Sequence, residues 1–298
     1  AYSLDKGRTF TKYTNNPVID SKHIWNSHDT RDPKIFWYTS GNHWVMVLNE
    51  RDGHSIYTSP DLKSWKYESH VTGFWECPEL FELAVDGNPN NKKWVMYGAT
   101  GTYMLGSFDG KTFIPESGKY FYTKGSLYAG QTYTNIPNSD GRRIQIAWGR
   151  ISHPSMPFNG MMLLPTELTL HTTKEGIRLF SNPIKETKQL FTPLKKWASL
   201  TSDKANDHLK EFRNAETLRI KTTFKLSHAT SAGIDLFGQR ILDYDMNANT
   251  INSVFYSPED RNSMELTADI YIDKTSIEVF IDGGIYSYSC LLYTSDAA

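Results

Sequence analysis

Two carboxylates precede prolines at the start of similar segments, and they are the strongest candidates for chemistry in this sequence. Asp32 immediately precedes Pro33, and Glu76 lies two residues before Pro78. Two carboxyl groups, one protonated and one ionised, can cleave a glycosidic bond when they flank its oxygen. Arg31, next to Asp32, can hydrogen-bond sugar hydroxyls through its guanidinium fork. This interpretation requires a fold that brings the two acids to one place.

An internal repeat of about 50 residues gives a reason to expect such a fold. The segment Pro-Lys-Ile-Phe at 33–36 matches Pro-Glu-Leu-Phe at 78–81, and Trp-Val-Met occurs at both 44–46 and 94–96. A Ser-x-Asp turn followed by an aromatic residue begins at Ser3, Ser59 and Ser107, with spacings of 56 and 48 residues.

Each repeat has the pattern of four short strands separated by Gly, Asn, Asp and Pro turns, which is typical of a β-propeller blade. In such a blade, Asp32 and Glu76 would start the innermost strands of neighbouring blades and face one mouth of the channel. The Asp of each Ser-x-Asp turn would accept backbone N–H groups, and the aromatic residue would pack between blades. A further blade is expected over 127–170. The sequence therefore predicts about three blades and the tail of an earlier one.

The second half has a different pattern. A short linker with one or two helical turns is expected over 181–194, and strands are expected at 217–224, 253–256, 268–273 and 276–284. We predict an all-β chain with a propeller domain at 1–180 and a β-sandwich at 195–298, with no catalytic cluster in the sandwich. Residues 289–298 fit no following strand, so the chain is expected to be truncated or non-native after 288.

Composition excludes several classes of function. The 32 Lys and Arg residues and 33 Asp and Glu residues give a net charge of −1, which argues against a nucleic-acid or anionic-membrane partner. No apolar run reaches the roughly 18 residues of a membrane span. Cys77 and Cys290 are too few for a disulfide framework or a cysteine metal site, and the nine His show no metal spacing. The 17 Tyr, 15 Phe and 8 Trp suit a β-protein or a carbohydrate binder.

Several motifs together resemble one known family. They are Arg-Asp-Pro-Lys at 31–34, Trp-Glu-Cys-Pro-Glu-Leu at 75–80, Gly-Arg-Arg-Ile-Gln-Ile-Ala-Trp-Gly at 141–149, Met-Pro-Phe-Asn-Gly-Met at 156–161 and Leu-Pro-Thr-Glu-Leu-Thr-Leu at 164–170. Over residues 1–288 the chain resembles glycoside hydrolase family 32, the fructan hydrolases and invertases. The resemblance implies a five-bladed propeller followed by a C-terminal β-sandwich. The propeller of this chain would then be partial, without the first blade and most of the second.

The resemblance also implies the roles of the site residues. Glu76 would be the general acid/base, Asp32 the transition-state stabiliser that holds fructose hydroxyls, and Arg31 a ligand of the same fructosyl ring. Tyr128 and Phe158 would line the pocket. The substrate would be levan, inulin or sucrose, no cofactor or metal is expected, and the parent protein would be secreted, periplasmic or at the cell surface.

One departure from the family pattern concerns the nucleophile. The family carries it in a Trp-Met-Asn-Asp-Pro-Asn-Gly type motif on the first blade, and no such motif occurs here. The parent protein would be a retaining enzyme. We therefore expect the 298-residue chain by itself not to turn over fructan.

Three alternatives remain open at this stage. The Ser-x-Asp turns also occur in sialidases, although no arginine triad is evident here. Five-bladed hydrolases that act on arabinan or xylan are a second alternative. The third is a non-catalytic glycan-binding propeller, which would keep the aromatic residues without the chemistry.

Overall fold

The computed structural model describes residues 1–153, 157–226, 229–255 and 265–292 and is built mainly of β-strands. No helix among these residues is long and apolar enough to cross a membrane. The chain folds into two compact units, which we call the first and the second unit. The first comprises Ala1–Glu82, Lys93–Ala99 and Met104–Gly118, and the second Leu83–Lys92, Thr100–Tyr103 and Lys119–Ala298.

The first unit opens with a short helix, α1 (Ser21–Trp25), and a four-stranded sheet in the order β1-β2-β3-β4. All three strand pairs are antiparallel. The second strand is buried from its third residue onwards, because one face contributes Val45 and Val47 to one core cluster and the other contributes Met46 and Leu48 to another. The bounds are β1 (Arg31–Tyr38), β2 (His43–Glu50), β3 (Gly53–Ser59) and β4 (Lys66–Thr72).

Four further strands follow in the order β5-β6-β7-β8 within a larger sheet. Their bounds are β5 (Glu79–Val85), β6 (Asn88–Tyr97), β7 (Thr102–Phe108) and β8 (Phe113–Phe121). Leu80, Met96, Phe108 and Phe113 join the cluster that contains Val45. The two repeated segments thus share one core inside the first unit.

The Ser-x-Asp turns contain the predicted hydrogen bonds. Asp5 accepts the N–H of Thr9, Asp61 accepts those of Lys63 and Ser64, and Asp109 accepts those of Lys111 and Thr112. The expected aromatic packing holds for Phe113, which is 3% exposed, but is wrong for Phe10, which is 69% exposed.

The nine-stranded sheet continues in the second unit with β10 (Leu127–Thr132), β11 (Arg143–Gly149), β12 (Met161–Met162), β13 (Thr166–Thr173) and β14 (Gly176–Pro183). Here β11 lies between β10 and β13, and β14 pairs with β13. A single parallel bridge between Leu170 and Val85 connects β13 to β5. The number of blades stays a prediction.

The second half of the chain forms two more sheets. The first has five strands in the order β15-β20-β21-β22-β9, and the second has four in the order β16-β17-β18-β19. Their apolar faces share a core that includes Ile241, Leu266, Ile270 and Val279. The bounds are β9 (Thr123–Gly125), β15 (Leu218–Lys225), β16 (Ser231–Leu236), β17 (Gln239–Asp245), β18 (Thr250–Ile251), β19 (Val254–Phe255), β20 (Glu265–Ile272), β21 (Ser276–Ile281) and β22 (Tyr286–Leu291).

Helical segments lie between β14 and β15. The 3₁₀ helix Lys185–Leu190 falls in the predicted linker and confirms its helical turns. A second helix, α2 (Ser202–Leu209), is capped by the Thr201 hydroxyl and precedes β15. This strand begins at Leu218, one residue after the expected start at 217. Short 3₁₀ turns also occur at Thr39–Gly41, Lys210–Phe212 and Asp282–Gly284.

The expectation that no strand follows residue 288 is wrong for three residues. Ser289, Cys290 and Leu291 continue β22 and pair with Glu278, Ile277 and Ser276 of β21. Ser289 and Cys290 are buried, and Leu291 is half-buried. Of the segment 289–298, residues 293–298 lie outside the described residues.

Candidate active site

Arg31 and Asp32 begin β1 at an irregularity in the strand. Arg31 pairs with Asn49 and Lys34 with Val47, so the register shifts between these two rungs. Asp32 lies in the shift with a φ of 58°, in the left-handed region. A bulge of this kind changes the direction of a side chain at a strand end and is common beside active sites.

Glu76 and Cys77 lie in the loop before β5, and both have left-handed backbones, with φ of 48° and 45°. The N–H of Ala99 donates to the carbonyl oxygens of Trp75 and Glu76, at 3.0 and 3.1 Å. Gly98 permits this approach, because a Cβ there would lie 2.9 Å from the Trp75 oxygen and 3.1 Å from the Glu76 oxygen. The glutamate backbone is therefore held against the end of β6.

Left-handed conformations cost free energy in residues other than glycine. The cost is about 1–2 kcal/mol per residue, and such residues persist where surrounding contacts determine their geometry. In the first unit three of them, Asp32, Glu76 and Cys77, belong to the predicted site or adjoin it. Their concentration there supports a functional rather than a merely structural loop.

Residues at equivalent positions of the two repeats contact each other in the structure, and these contacts bring Asp32 and Glu76 into one region. Counted from Pro33 and Pro78, Arg31 corresponds to Glu76. The Nη1 atom of Arg31 donates to Oε1 of Glu76 at 2.8 Å, and its Nη2 atom contacts Asp29. The sequence pattern associated Arg31 with Asp32, whereas the structure directs its guanidinium to Glu76 and Asp29.

The position equivalent to Asp32 is Cys77 and not Glu76, which corrects the assumption that the two acids occupy the same place in their repeats. The Cys77 N–H donates to Oδ2 of Asp32 at 3.0 Å, and the Cys77 Sγ lies 3.5 Å from the same oxygen. Burial and then the Asp32 carboxylate raise the pKa of the Cys77 thiol to about 12. A thiol in that state is a poor nucleophile, so Cys77 is a neighbour of the site rather than its attacking group.

A third equivalent pair lies deeper. The Lys34 Nζ is 2.7 Å from Oε1 of Glu79, and the two side chains are 11% and 0% exposed. The side chains of Arg31 and Glu76, by contrast, are 47% and 18% exposed. Three contacts between β1 and the segment from the loop before β5 to the first residue of β5 thus run from a buried ion pair to one that is open to solvent.

Tyr128 and Phe158 belong to the second unit. Tyr128 is the second residue of β10 and lies just before a bulge, and the next residue, Ala129, has a φ of 53°, which repeats the irregularity at Asp32. The Arg150 guanidinium carbon lies 4.0 Å from the centre of the Tyr128 ring. Sequence reasoning missed Arg150, although it directly follows the quoted motif at 141–149.

Phe158 is 53% exposed, and its ring centre lies 5.1 Å from that of His153. Trp148, which belongs to the motif at 141–149, has 45% of its surface exposed. Met156, which belongs to one of the quoted motifs, lies outside the described residues.

One carboxylate in the second unit contrasts with this site. Glu278 of β21 is 7% exposed, and both of its oxygens accept the backbone N–H of Leu164, at 3.1 and 3.2 Å. Burial, and to a smaller extent the charge of Asp273, raises the pKa of Glu278 to about 7. No pattern in the sequence marked this residue.

Comparison with known proteins agrees with the motifs. The family model described as "Glycosyl hydrolases family 32 N-terminal domain" matches residues 1–183. The chain is 34% identical to a levanase of Bacillus subtilis (strain 168), over 95% of this chain and 49% of that protein. It is 28% identical to an extracellular exo-inulinase of Aspergillus niger, over 100% of this chain and 66% of that protein.

Solved structures agree on the fold. The exo-inulinase of Aspergillus awamori superposes with a TM-score of 0.77 at 22% identity, over 100% of this chain and 69% of that one. A β-fructofuranosidase of Schwanniomyces occidentalis, complexed with fructosyl-erythritol, gives 0.72 at 23% identity, over 98% and 69%. The chain belongs to glycosyl hydrolase family 32, which confirms the resemblance, and it spans about half to two thirds of these relatives.

Proposed function

We propose that this chain supplies the acid/base and fructosyl-binding parts of a β-fructosidase. The observation that carries the proposal is the pair of contacts between the repeats, in which Arg31 meets Glu76 and Asp32 meets Cys77. A glycosidase needs a carboxyl group that is held in place yet open to substrate. Glu76 satisfies both needs, since its backbone is anchored and its side chain is 18% exposed.

In the proposed reaction, a carboxylate nucleophile attacks the anomeric carbon of a fructosyl unit while Glu76 gives its proton to the departing glycosidic oxygen. Glu76 then takes a proton from the water that releases fructose, and the configuration is retained. Asp32 accepts hydrogen bonds from fructose hydroxyls, and Arg31 orients the ring and Glu76. Tyr128 and Phe158 are proposed to line the fructosyl pocket.

The nucleophile itself is not assigned in these 298 residues, because the Trp-Met-Asn-Asp-Pro-Asn-Gly type motif does not occur in them. We therefore propose that the chain alone binds fructan and releases no fructose. The substrate classes are levan, inulin and sucrose, after the relatives named levanase, exo-inulinase and invertase. Secretion of the parent protein is proposed from the relatives named extracellular.

Two measurements on the purified chain test this proposal. The first is calorimetry with levan, inulin and sucrose, with dextran as the control sugar. The second is sucrose cleavage with added azide, which can attack the anomeric carbon in place of the carboxylate. In that reaction the C–O bond breaks, a C–N bond forms, and Glu76 gives its proton to glucose.

We expect fructan binding without dextran binding, and cleavage that requires azide. Glu76→Gln should lower the azide-dependent rate by about 10²-fold or more and leave binding within about threefold. The matched control is Glu82→Gln, an exposed acid in β5, which should change neither. Absence of both fructan binding and azide-dependent cleavage would overturn the fructosyl site. Release of fructose without azide, abolished by Glu76→Gln, would overturn the inactivity of the chain.

A further inference from the structure

Asn49 is a polar residue in a strongly apolar stretch of β2. It is 1% exposed and follows Val47 and Leu48, which are 0% and 5% exposed. Its rung of the sheet joins Arg31 of β1 on one side and His54 of β3 on the other. A buried amide is unfavourable unless it is hydrogen-bonded, so its partner shows what the residue is for.

That partner is the proposed acid/base residue. The Oδ1 atom of Asn49 accepts the backbone N–H of Glu76 at 2.8 Å. The Nδ2 atom is buried and has no hydrogen-bond partner among the described residues. The carbonyl end of the amide therefore accounts for the contact with the loop.

The hydrogen bond from the Glu76 N–H to Asn49 restrains a part of the loop with unfavourable backbone conformations. Glu76 and Cys77 are consecutive left-handed residues, and the loop is held by Asn49 on the N–H side of Glu76 and by Ala99 on its carbonyl side. Asp32 holds the N–H of Cys77. Loss of one of these three hydrogen bonds would let the peptide rotate, and the Glu76 carboxyl group would move away from Arg31.

We infer that Asn49 is a positioning residue that fixes the Glu76 carboxyl group for proton transfer through the Oδ1 contact with the Glu76 N–H. The inference rests on the proposed function, because proton transfer by Glu76 is part of that proposal. Asn49 does not touch the reacting atoms. It sets the place from which Glu76 reaches the glycosidic oxygen.

The test compares variants that keep or remove the acceptor. Asn49→Asp keeps an oxygen at the acceptor position and removes the amide nitrogen. Asn49→Leu removes both and preserves the volume, and Asn49→Ser, which is polar and too short, serves if the leucine variant does not fold. Leu48→Ala is the matched control, because it weakens the neighbouring core without touching Glu76.

Two readouts are measured on the 298-residue chain. Hydrogen exchange of the Glu76 amide reports the contact directly, and the azide-dependent cleavage of sucrose gives kcat and KM. We expect Asn49→Leu to speed exchange of this amide by about tenfold or more. Because misplacement by about 1 Å can cost on the order of 10²-fold in rate, kcat should fall about 10- to 100-fold with KM within about threefold. Because Asn49→Asp keeps the acceptor oxygen, exchange of the Glu76 amide should stay within about threefold of the wild type in this variant.

The inference fails if Asn49→Leu or Asn49→Ser leaves the exchange of the Glu76 amide unchanged. It also fails if Leu48→Ala lowers kcat as much as they do, since the effect would then be one of stability alone. A wild-type chain that shows no azide-dependent cleavage would contradict the proposed function. Hydrogen exchange would still decide whether Asn49 holds Glu76, so the two failures are distinguishable.

Discussion

Glu76 and Glu278 are both largely enclosed glutamates, yet they differ in backbone conformation, exposure and the groups that face their carboxyl oxygens. Glu76 lies on a left-handed backbone, faces the Arg31 guanidinium and is 18% exposed. Glu278 lies on a regular strand, is 7% exposed, and receives the backbone N–H of Leu164. The first arrangement holds a carboxyl group that is open to solvent on a backbone conformation that costs free energy. The second buries a carboxyl group whose charge then opposes folding.

The largest loss of stability is expected for the buried ion pair of Lys34 and Glu79, which adjoins the Glu76 site. Lys34→Met removes the ammonium group that faces Glu79, whose side chain is 0% exposed. Breaking a buried ion pair from one side typically costs about 3–5 kcal/mol. We expect a loss of that size in the free energy of unfolding, measured with urea.

The double variant Lys34→Met with Glu79→Leu is the control for this prediction. Replacing both partners of a buried pair by apolar residues is often neutral or stabilising. Most of the lost stability should therefore return. A double variant as unstable as the single one would mean that Lys34 acts through packing and not through its charge.

The next effect concerns Glu278 and depends on pH. Its pKa in the folded chain is about 7, above the ordinary value of 4.5, so the folded state holds the proton more tightly than the unfolded state does. This contribution is fully present below about pH 4.5 and is lost as the pH rises through 7. At about 1.4 kcal/mol per pKa unit, the loss is roughly 3 kcal/mol.

Glu278→Gln should remove this dependence. We expect the variant to unfold with nearly the wild-type free energy at pH 4.5 and to be more stable than the wild type at pH 8, as measured by urea titration at both values. An equal difference between the two proteins at the two pH values would show that Glu278 does not titrate in this range. The charge of Glu278 would then not oppose folding at pH 8.

A smaller loss of stability is expected at Gly98, whose backbone lies against the Trp75 and Glu76 carbonyl oxygens. Gly98→Ala would place a Cβ 2.9 Å from the Trp75 oxygen, so the loop before β5 must move. Overpacking of this kind costs about 1–3 kcal/mol. We expect that loss in the unfolding free energy, together with faster hydrogen exchange at Glu76. The same substitution at Gly87, which has open space around it but a positive φ of 70°, is the control for backbone strain.

The smallest effect on stability is expected for Arg31, although its proposed role is direct. Arg31→Leu removes an ion pair in which the arginine is 47% exposed, and exposed pairs contribute about 1 kcal/mol or less. The unfolding free energy should change within that range while fructan binding measured by calorimetry weakens at least about tenfold. Wild-type affinity in this variant would remove Arg31 from the fructosyl site.

Local patterns in the sequence were sufficient for the repeat and for the proximity of the residues proposed to form the site. The prolines at 33 and 78 and the Trp-Val-Met segments identify equivalent strands, and the Ser-x-Asp turns form as expected because an Asp carboxylate meets the N–H groups of its own turn. The proximity of Arg31, Asp32 and Glu76 followed from their places in the repeat.

Interactions between distant segments could not be predicted in the same way. The contact of Asp32 with Cys77 rather than with Glu76 depends on left-handed residues that no local pattern marks. In the sequence, Asn49 is only a polar interruption of an apolar strand. Its hydrogen bond to the Glu76 N–H becomes evident in the structure. The pairing of β9 with β22 joins residues more than 150 positions apart, and α2 is a short polar helix whose Thr201 cap was not recognised.

The Lys34–Glu79 pair has a practical consequence for large-scale mutagenesis of this chain. Lys34 belongs to the motif at 31–34 and Glu79 to the motif at 75–80, and replacing either is expected to lower the yield of folded protein. In a saturation screen scored on azide-dependent cleavage of sucrose alone, they would rank beside Glu76, the proposed acid/base residue, and be mistaken for residues that meet the sugar. Recording soluble, folded protein for each variant would separate the two groups.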